Sequence, residues 1–149
     1  MEIFLEPANI DDWKEVKEIE QKVSNRLFFS FTKEEQFINY LKNSKVFFIE
    51  AEGKRVGTIS YEVKDDYVEI DSYTLLSDYR GKGIAKEALK QILEKIGPAT
   101  VKLFTHPENT PAIINYLKAG FVIKGWENDH FGDGEPRLLL VRKTGLGID

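Results

Sequence analysis

The stretch Tyr79–Leu93, YRGKGIAKEALKQIL, decides the fold. A strand-like run, YVEIDSYTLL at 67–76, stands just before it, and a helical pattern begins inside it. Gly81 and Gly83 sit at the join, with Arg80, Lys82 and Lys86 around them. The first N–H groups of a helix have no partner within the helix. Glycines let successive N–H groups point one way and let a ligand approach the backbone. The helix dipole adds positive potential there. Such a turn suits a phosphate or diphosphate. Two phosphate patterns do not fit. A P-loop needs GxxxxGK followed by Ser or Thr, but Gly83 follows Lys82 and Leu76 holds the place of the first glycine. The dinucleotide pattern GxGxxG fails at Lys86. Taken alone, the turn reads equally as a phosphate site or as a helix start that contains glycine.

Outward from this join the pattern is regular. Upstream, VFFIEA reads as a buried strand, Glu52-Gly53-Lys54 as a hairpin turn, and Arg55 to Val63 as the partner strand. Tyr67 to Leu76 is a third strand of the same meander. Further back, Asn9 caps a first helix carrying Trp13, Val16, Ile19 and Val23 at helical spacing. After the segment LFFSF at 27–31, Thr32 to Glu35 forms a capping-box pattern for a second helix with Phe37, Tyr40 and Leu41. Downstream, the helix from about Gly83 to Ile96 stops at Gly97-Pro98. TVKLFT is a strand, and a helix capped at Asn109 or Thr110 ends at Gly120. Two final strands run from Phe121 to about Glu127 and from about Arg137 to Lys143. The order predicts an α/β (α+β) domain with a mixed sheet, one domain over 1–149.

Composition narrows the class. The 42% hydrophobic and 31% charged contents are those of a globular protein. No apolar run reaches the ~20 residues of a membrane span, and the start, MEIFLEPANI, lacks the basic flank of a signal peptide. The cytoplasm is therefore the expected compartment. Without cysteine there is no disulfide, thiolate metal site or cysteine nucleophile, and no metal is expected. A net charge of −4 argues against a general nucleic-acid binder.

Arg80-Gly81-Lys82-Gly83-Ile84-Ala85 resembles the R/Q-x-x-G-x-G/A signature of the GNAT superfamily of N-acetyltransferases. A second block, Asn109, Ala112, Tyr116, Gly120 and Phe121, matches the superfamily's N-x-x-A-x-x-x-Y-x-x-x-G-F pattern. The two blocks come in the family's order, on the expected elements, and the resemblance covers roughly Lys45 to Lys143. It implies the acyl-CoA N-acyltransferase fold, a mainly antiparallel sheet with helices on both faces. It implies acetyl-CoA as cosubstrate, its diphosphate on the amides of Gly81 to Ala85, with Lys82 or Lys86 near the phosphates. The backbone of Leu75 and Leu76 would pair with the pantetheine arm and polarise the thioester carbonyl. Asn109 would touch the pantetheine or orient the last crossover, and Tyr116 would stand near the sulfur. Ser77 replaces a proline common in the family, and Ala85 is a permitted variant.

Transfer from a thioester to an amine needs a neutral amine, a stabilised oxyanion and a proton for the thiolate. Glu69 matches, without gaps relative to Arg80, the basic glutamate of the histone-type members. Alternation places Glu69, Asp71 and Tyr73 on one face of their strand, so Asp71 is a second base or an anchor for the acceptor's charge. A polar, solvated sheet face is the bland reading of that row. The N–H of Leu75 would serve the oxyanion and Tyr116 would protonate the thiolate. Direct transfer in a ternary complex is expected, with no acyl-enzyme.

His106, near a strand end, is an acceptor-site candidate or a solvated loop residue. The segment HFGDGEPR resembles a loop of peptide N-terminal acetyltransferases, but His130 and Phe131 replace its paired tyrosines. Phe104 stands where some of those enzymes have a catalytic histidine. Leu27 to Phe31 would wall the acceptor site or pack as loop hydrophobics. The reading is an N-acetyltransferase acting on a primary amine of a small molecule or protein, and a homodimer is compatible with it. Its rivals are a peptide N-terminal acetyltransferase, a non-catalytic acyl-CoA sensor and, distantly, a nucleic-acid module using Arg80, Lys82, Lys86 and Lys90.

Overall fold

The structure, a computed structural model, describes residues 1–143; residues 144–149 of the expected domain lie outside the described residues. The elements are β1 (Ile3–Pro7), α1 (Trp13–Val23), α2 (Glu34–Asn43), β2 (Lys45–Ala51), β3 (Lys54–Val63) and β4 (Val68–Leu75). They continue with α3 (Ile84–Ile96), β5 (Val101–Thr105), α4 (Thr110–Lys118), β6 (Val122–Glu127) and β7 (Arg137–Arg142).

VFFI in β2 is continuously apolar because both faces of the sheet are covered. Val46 and Phe48 pack with Val16, Ile19, Phe37 and Leu41 of α1 and α2. Phe47 and Ile49 join the other core, with Ile84, Leu89 and Ile92 of α3 and Tyr116 of α4. The expected mixed sheet with helices on both faces is thus present. It has seven strands in the order β1-β2-β3-β4-β5-β7-β6. Every neighbouring pair is antiparallel except β4 and β5, which α3 joins in parallel.

β1 is an addition to the order read from the sequence. It pairs with β2 from Ile3↔Ala51 to Pro7↔Phe47 at the sheet's edge. The start of α2 also differs. Thr32 and Glu35 do not form the box; instead Gln36 Oε1 accepts the N–H groups of Thr32 and Lys33, at 3.1 and 3.0 Å.

Two irregularities of the sheet position the site. β4 and β5 pair only from Val68↔Val101 to Ile70↔Leu103, although both strands run on. Past that point their facing edges are free. And the β3–β4 register slips between Tyr61↔Ile70 and Ser60↔Ser72, leaving Asp71 as the extra residue of a β-bulge.

Candidate active site

A short 3₁₀ turn, Ser77–Tyr79, carries the chain from β4 to the glycines. Gly81 (φ 76°) and Gly83 (φ 80°) adopt the left-handed conformation that favours glycine. A Cβ at either would meet nothing within 4 Å. From Gly81 to Lys86, no backbone N–H finds an acceptor among the described residues, and the α3 ladder opens with Glu87 N–H donating to Gly83 O at 3.2 Å. The turn is open and its amides are unspent. Beside it a groove of about 990 Å³ runs between α3 and α4. Four cations line it, Lys86, Lys90, Lys118 and Arg142, against two acids, Glu87 and Glu94. Donor and charge chemistry both fit a diphosphate ligand.

The turn follows the end of β4, where β4 and β5 have parted beyond Ile70 and Leu103. Leu76 N–H donates to Val56 O at 2.8 Å and Leu76 O accepts from Tyr79 N–H at 3.0 Å, so Leu76 has no free main-chain group. The alternating ladder then turns the N–H of Leu75 away from β3, toward the gap. Its carbonyl accepts from Arg80 Nε at 3.2 Å, so Arg80 folds back onto the strand end. Tyr116, from α4, stands over this region and is 6% exposed. Its ring lies 6.0 Å from Tyr73 and 5.8 Å from Phe121. Its hydroxyl bonds to no described residue, and burial holds its pKa above the usual tyrosine value. Asn109 begins α4 without a side-chain cap bond. The amide that lines the groove is instead Asn115, which also donates to Tyr73 OH at 3.3 Å.

The sheet face toward α1 and α2 holds the carboxyls. Here the alternation read from the sequence needs correction. Glu69 and Asp71 share this face, but the bulge at Asp71 flips the next residues. Ser72 also points here, to Glu20, while Tyr73 crosses to the α3–α4 side and donates to Ala85 O. Glu69 is half-buried, and burial, then the Asp71 charge, raise its pKa. Asp71 accepts from Ser44 Oγ at 2.6 Å and from Ser60 Oγ. It forms the floor of a cleft of about 330 Å³ lined also by Phe31, Asn39, Tyr40 and Glu62. Glu20 of α1, which no sequence motif singles out, lies beneath that floor, 6% exposed.

Aromatic rings continue the wall. Phe104 stacks on His130, His130 meets Phe131 edge-on, Phe131 stacks on Phe29, and Phe29 and Phe37 flank Phe31. The Leu27–Phe31 segment and the β6–β7 loop therefore meet over this face. His106 is not a solvated loop residue. It is 1% exposed, its Nδ1 accepts Glu108 N–H at 3.0 Å, and its Nε2 lies 2.7 Å from Glu135. Arg26 joins Glu108 and Glu135 at 2.8 and 3.1 Å, fastening the Leu27–Phe31 segment to both neighbouring loops. Among the described residues no His, Cys, Asp and Glu cluster of three or more could hold a metal, and no helix is long and apolar enough to cross a membrane.

Parted parallel strands, an anion-ready turn at the head of the crossover helix and a cationic groove beside that turn define the class, an N-acyltransferase fold. The chain belongs to the acetyltransferase (GNAT) family, whose profile matches residues 11–121. It is 33% identical over 88 residues to the UPF0157 protein YqkA of Bacillus subtilis (strain 168), a match covering 58% of this chain and 23% of that protein. The chain thus spans about a quarter of that relative's length. In fold it resembles the ribosomal-protein-S18-alanine N-acetyltransferase of Escherichia coli, with TM-score 0.77, 20% identity, and 95% and 93% of the two chains covered. It also resembles a GNAT family acetyltransferase of Elizabethkingia anophelis with acetyl-CoA bound, with TM-score 0.73, 16% identity, and coverage of 95% and 97%. At these identities the likeness is one of fold.

Proposed function

We propose that this chain moves an acetyl group from acetyl-CoA to a primary amine, on a small molecule or a protein, by direct transfer in a ternary complex. The observation that carries the reading is the open turn of Gly81 to Lys86, with unspent amides facing a groove of net positive lining. The amides of Gly81, Lys82, Gly83, Ile84, Ala85 and Lys86 hold the diphosphate, and Lys86 adds charge. Arg80 steadies the strand end through Leu75 O. Bound acetyl-CoA supplies an acetyl thioester. The Leu75 N–H, turned to the gap, stabilises the negative oxygen. Glu69 takes the ammonium's proton, directly or through water, and Asp71 anchors the acceptor's charge. Tyr116, with its proton retained and its hydroxyl free, protonates the departing sulfur. Where a peptide backbone would need hydroxyls, this chain offers the edge-to-face rings of His130 and Phe131. This favours acceptors other than peptide N-termini.

Two measurements test this. Coenzyme A should raise the melting temperature, by about 2.7 kcal/mol of stabilisation at a hundredfold excess over Kd; no shift at saturating ligand removes the cosubstrate. Free-thiol release across polyamines, amino acids, aminoglycosides and peptides should find a turned-over amine. A melting shift with silence across the panel leaves a sensor instead.

A further inference from the structure

The strap that joins α1 to α2, residues 24–33, has little main-chain support. Phe28 N–H donates to Asn25 O at 3.2 Å and Leu27 N–H to Asn25 Oδ1 at 2.7 Å, a tight turn that carries Arg26. Among the described residues, no main-chain group from Arg26 to Phe31 bonds to another element. Side chains hold the strap instead. At its far end Phe31 meets Phe37 and Tyr40 of α2, with ring centroids 5.8 and 6.0 Å apart. In the middle Phe29 stacks on Phe131 of the β6–β7 loop at 5.1 Å. At the near end Arg26 donates to Glu108 through both Nη1 and Nη2, at 2.9 and 2.8 Å, and to Glu135 through Nη1 at 3.1 Å.

Both acids are set in place by the buried His106. Its Nδ1 accepts Glu108 N–H at 3.0 Å, so the ring proton sits on Nε2 and is donated to Glu135 Oε1 at 2.7 Å. The β6–β7 loop is also braced within itself. Arg137, buried as well, donates to Asp133 at 2.9 Å, and Asp129 accepts Gly134 N–H at 2.6 Å. A weakly supported strap thus offers one planar guanidinium to two carboxylates held ready by their own loops. A forked pair of this kind fixes direction as well as distance.

The strap and the β6–β7 loop reach the row of carboxyls at different places. Phe31 lines the cleft whose floor is Asp71. His130 lies close enough to Glu69 for its charge to act there. We propose that Arg26 is a positioning residue for the acceptor: its clasp on Glu108 and Glu135 ties these two walls together and sets the space between them. The inference rests on the acetyl-transfer reading, which makes that space the acceptor's. Arg26 touches neither amine nor coenzyme. Exposed ion pairs contribute little to global stability, so the strap can open while the fold stays whole. Opening lowers the fraction of molecules shaped to hold the acceptor, and apparent affinity falls by that fraction.

The test compares wild type with Arg26→Gln, Glu108→Gln, the double variant and Arg26→Lys. Chymotrypsin under native conditions reads the strap without any substrate, at Leu27, Phe28, Phe29 and Phe31. Arg26→Gln should raise the rate of nicking there about fivefold, with the melting temperature unchanged. Glu108→Gln, which leaves the strap's own sequence intact, should move the rate in the same direction. The double variant should be nicked no faster than Arg26→Gln, because both changes break one clasp. Arg26→Lys keeps the charge without the fork and should fall between. With a panel amine, KM should rise about fivefold in Arg26→Gln while kcat and coenzyme A affinity hold. Wild-type nicking in both single variants overturns the clasp. Nicking throughout the chain with a lowered melting temperature makes Arg26 a structural residue and overturns its positioning role, as does faster nicking with an unmoved KM. Silence across the amine panel fails the acetyl-transfer reading instead, and the nicking rates then decide the clasp by themselves.

Discussion

In the proposed transfer, Tyr116 is the acid that protonates the departing sulfur. Its ring packs against Tyr73 and Phe121, so Tyr116→Phe leaves the packing intact and removes only the hydroxyl. Burial raises its pKa, and in water that would make it a poorer donor to a thiolate with a pKa of about 8.5. In the proposed complex the sulfur shares the buried site, however, and burial raises a thiol in the same direction. The difference between the two acids sets the cost of the step. We expect Tyr116→Phe to lower kcat about a hundredfold while the coenzyme A dissociation constant stays at its wild-type value. Stopped-flow turnover and calorimetric titration check the two halves, and full turnover in the variant removes the acid role. The place of Tyr116 on the core face of its helix was legible because a motif frames it, with Asn109, Ala112, Gly120 and Phe121 around it. Glu20 had no frame. On a helix read from Trp13, Val16, Ile19 and Val23 it looks like one more solvated glutamate. Its partners Thr58 and Ser72 are 38 and 52 residues away.

Among the elements, β4 is shaped by what lies across from it. A Cβ on Gly57 would sit 2.2 Å from Thr74 O and 3.2 Å from Leu75 Cα. Only glycine lets β3 approach this closely, just where β4 turns its free edge to the gap. Gly83 is a different case. It has open space on all sides, so a side chain there costs only the left-handed backbone, about 1–2 kcal/mol. Two alanine variants separate these roles. Gly57→Ala should lower the melting temperature more than Gly83→Ala, because rigid backbone must move. Gly83→Ala should lose more of the coenzyme A-induced shift, because it disturbs the amides of the turn. Thermal melts with and without coenzyme A read both, and an equal loss of ligand shift in the two variants defeats the assignment of the turn. In β4, too, sequence reading reaches its limit. Alternation holds from Glu69 to Asp71 and then breaks, because the bulge depends on Tyr61 and Ser60 of another strand. β1 escaped for a related reason: five residues with no hairpin of their own become a strand only against β2, more than 35 residues along the chain. The meander and the α3 turn were legible because their turns and periods are local.

At the level of the whole molecule, the buried carboxyl leaves a signature in stability. Glu20 is raised in the folded chain to about 7 from an ordinary value of 4.5, so the folded state holds its proton more tightly than the unfolded state. Its contribution is fully present below pH 4.5, declines as pH rises, and is gone above about pH 7. The loss across that window is about 3 kcal/mol. Asp71, raised by burial in the same direction, adds a slope of the same sign that a change at position 20 leaves in place. Glu108 and Glu135 work the other way. Arg26 holds the first below the usual carboxylate range, and His106 followed by Arg26 holds the second. Their contribution is present above that range and lost on acidification, mostly screened because both lie at the surface. The sum is a protein expected to be most stable on the acidic side of neutrality. Glu20→Gln isolates the share of the buried carboxyl. Between pH 5 and 8 the variant should lose most of the wild-type decline in unfolding free energy, and at pH 8 it should be the more stable protein. Urea melts at three pH values measure this without any substrate. A variant that declines in parallel with wild type would mean that Glu20 is ionised throughout, and that the fold keeps no proton beneath Asp71.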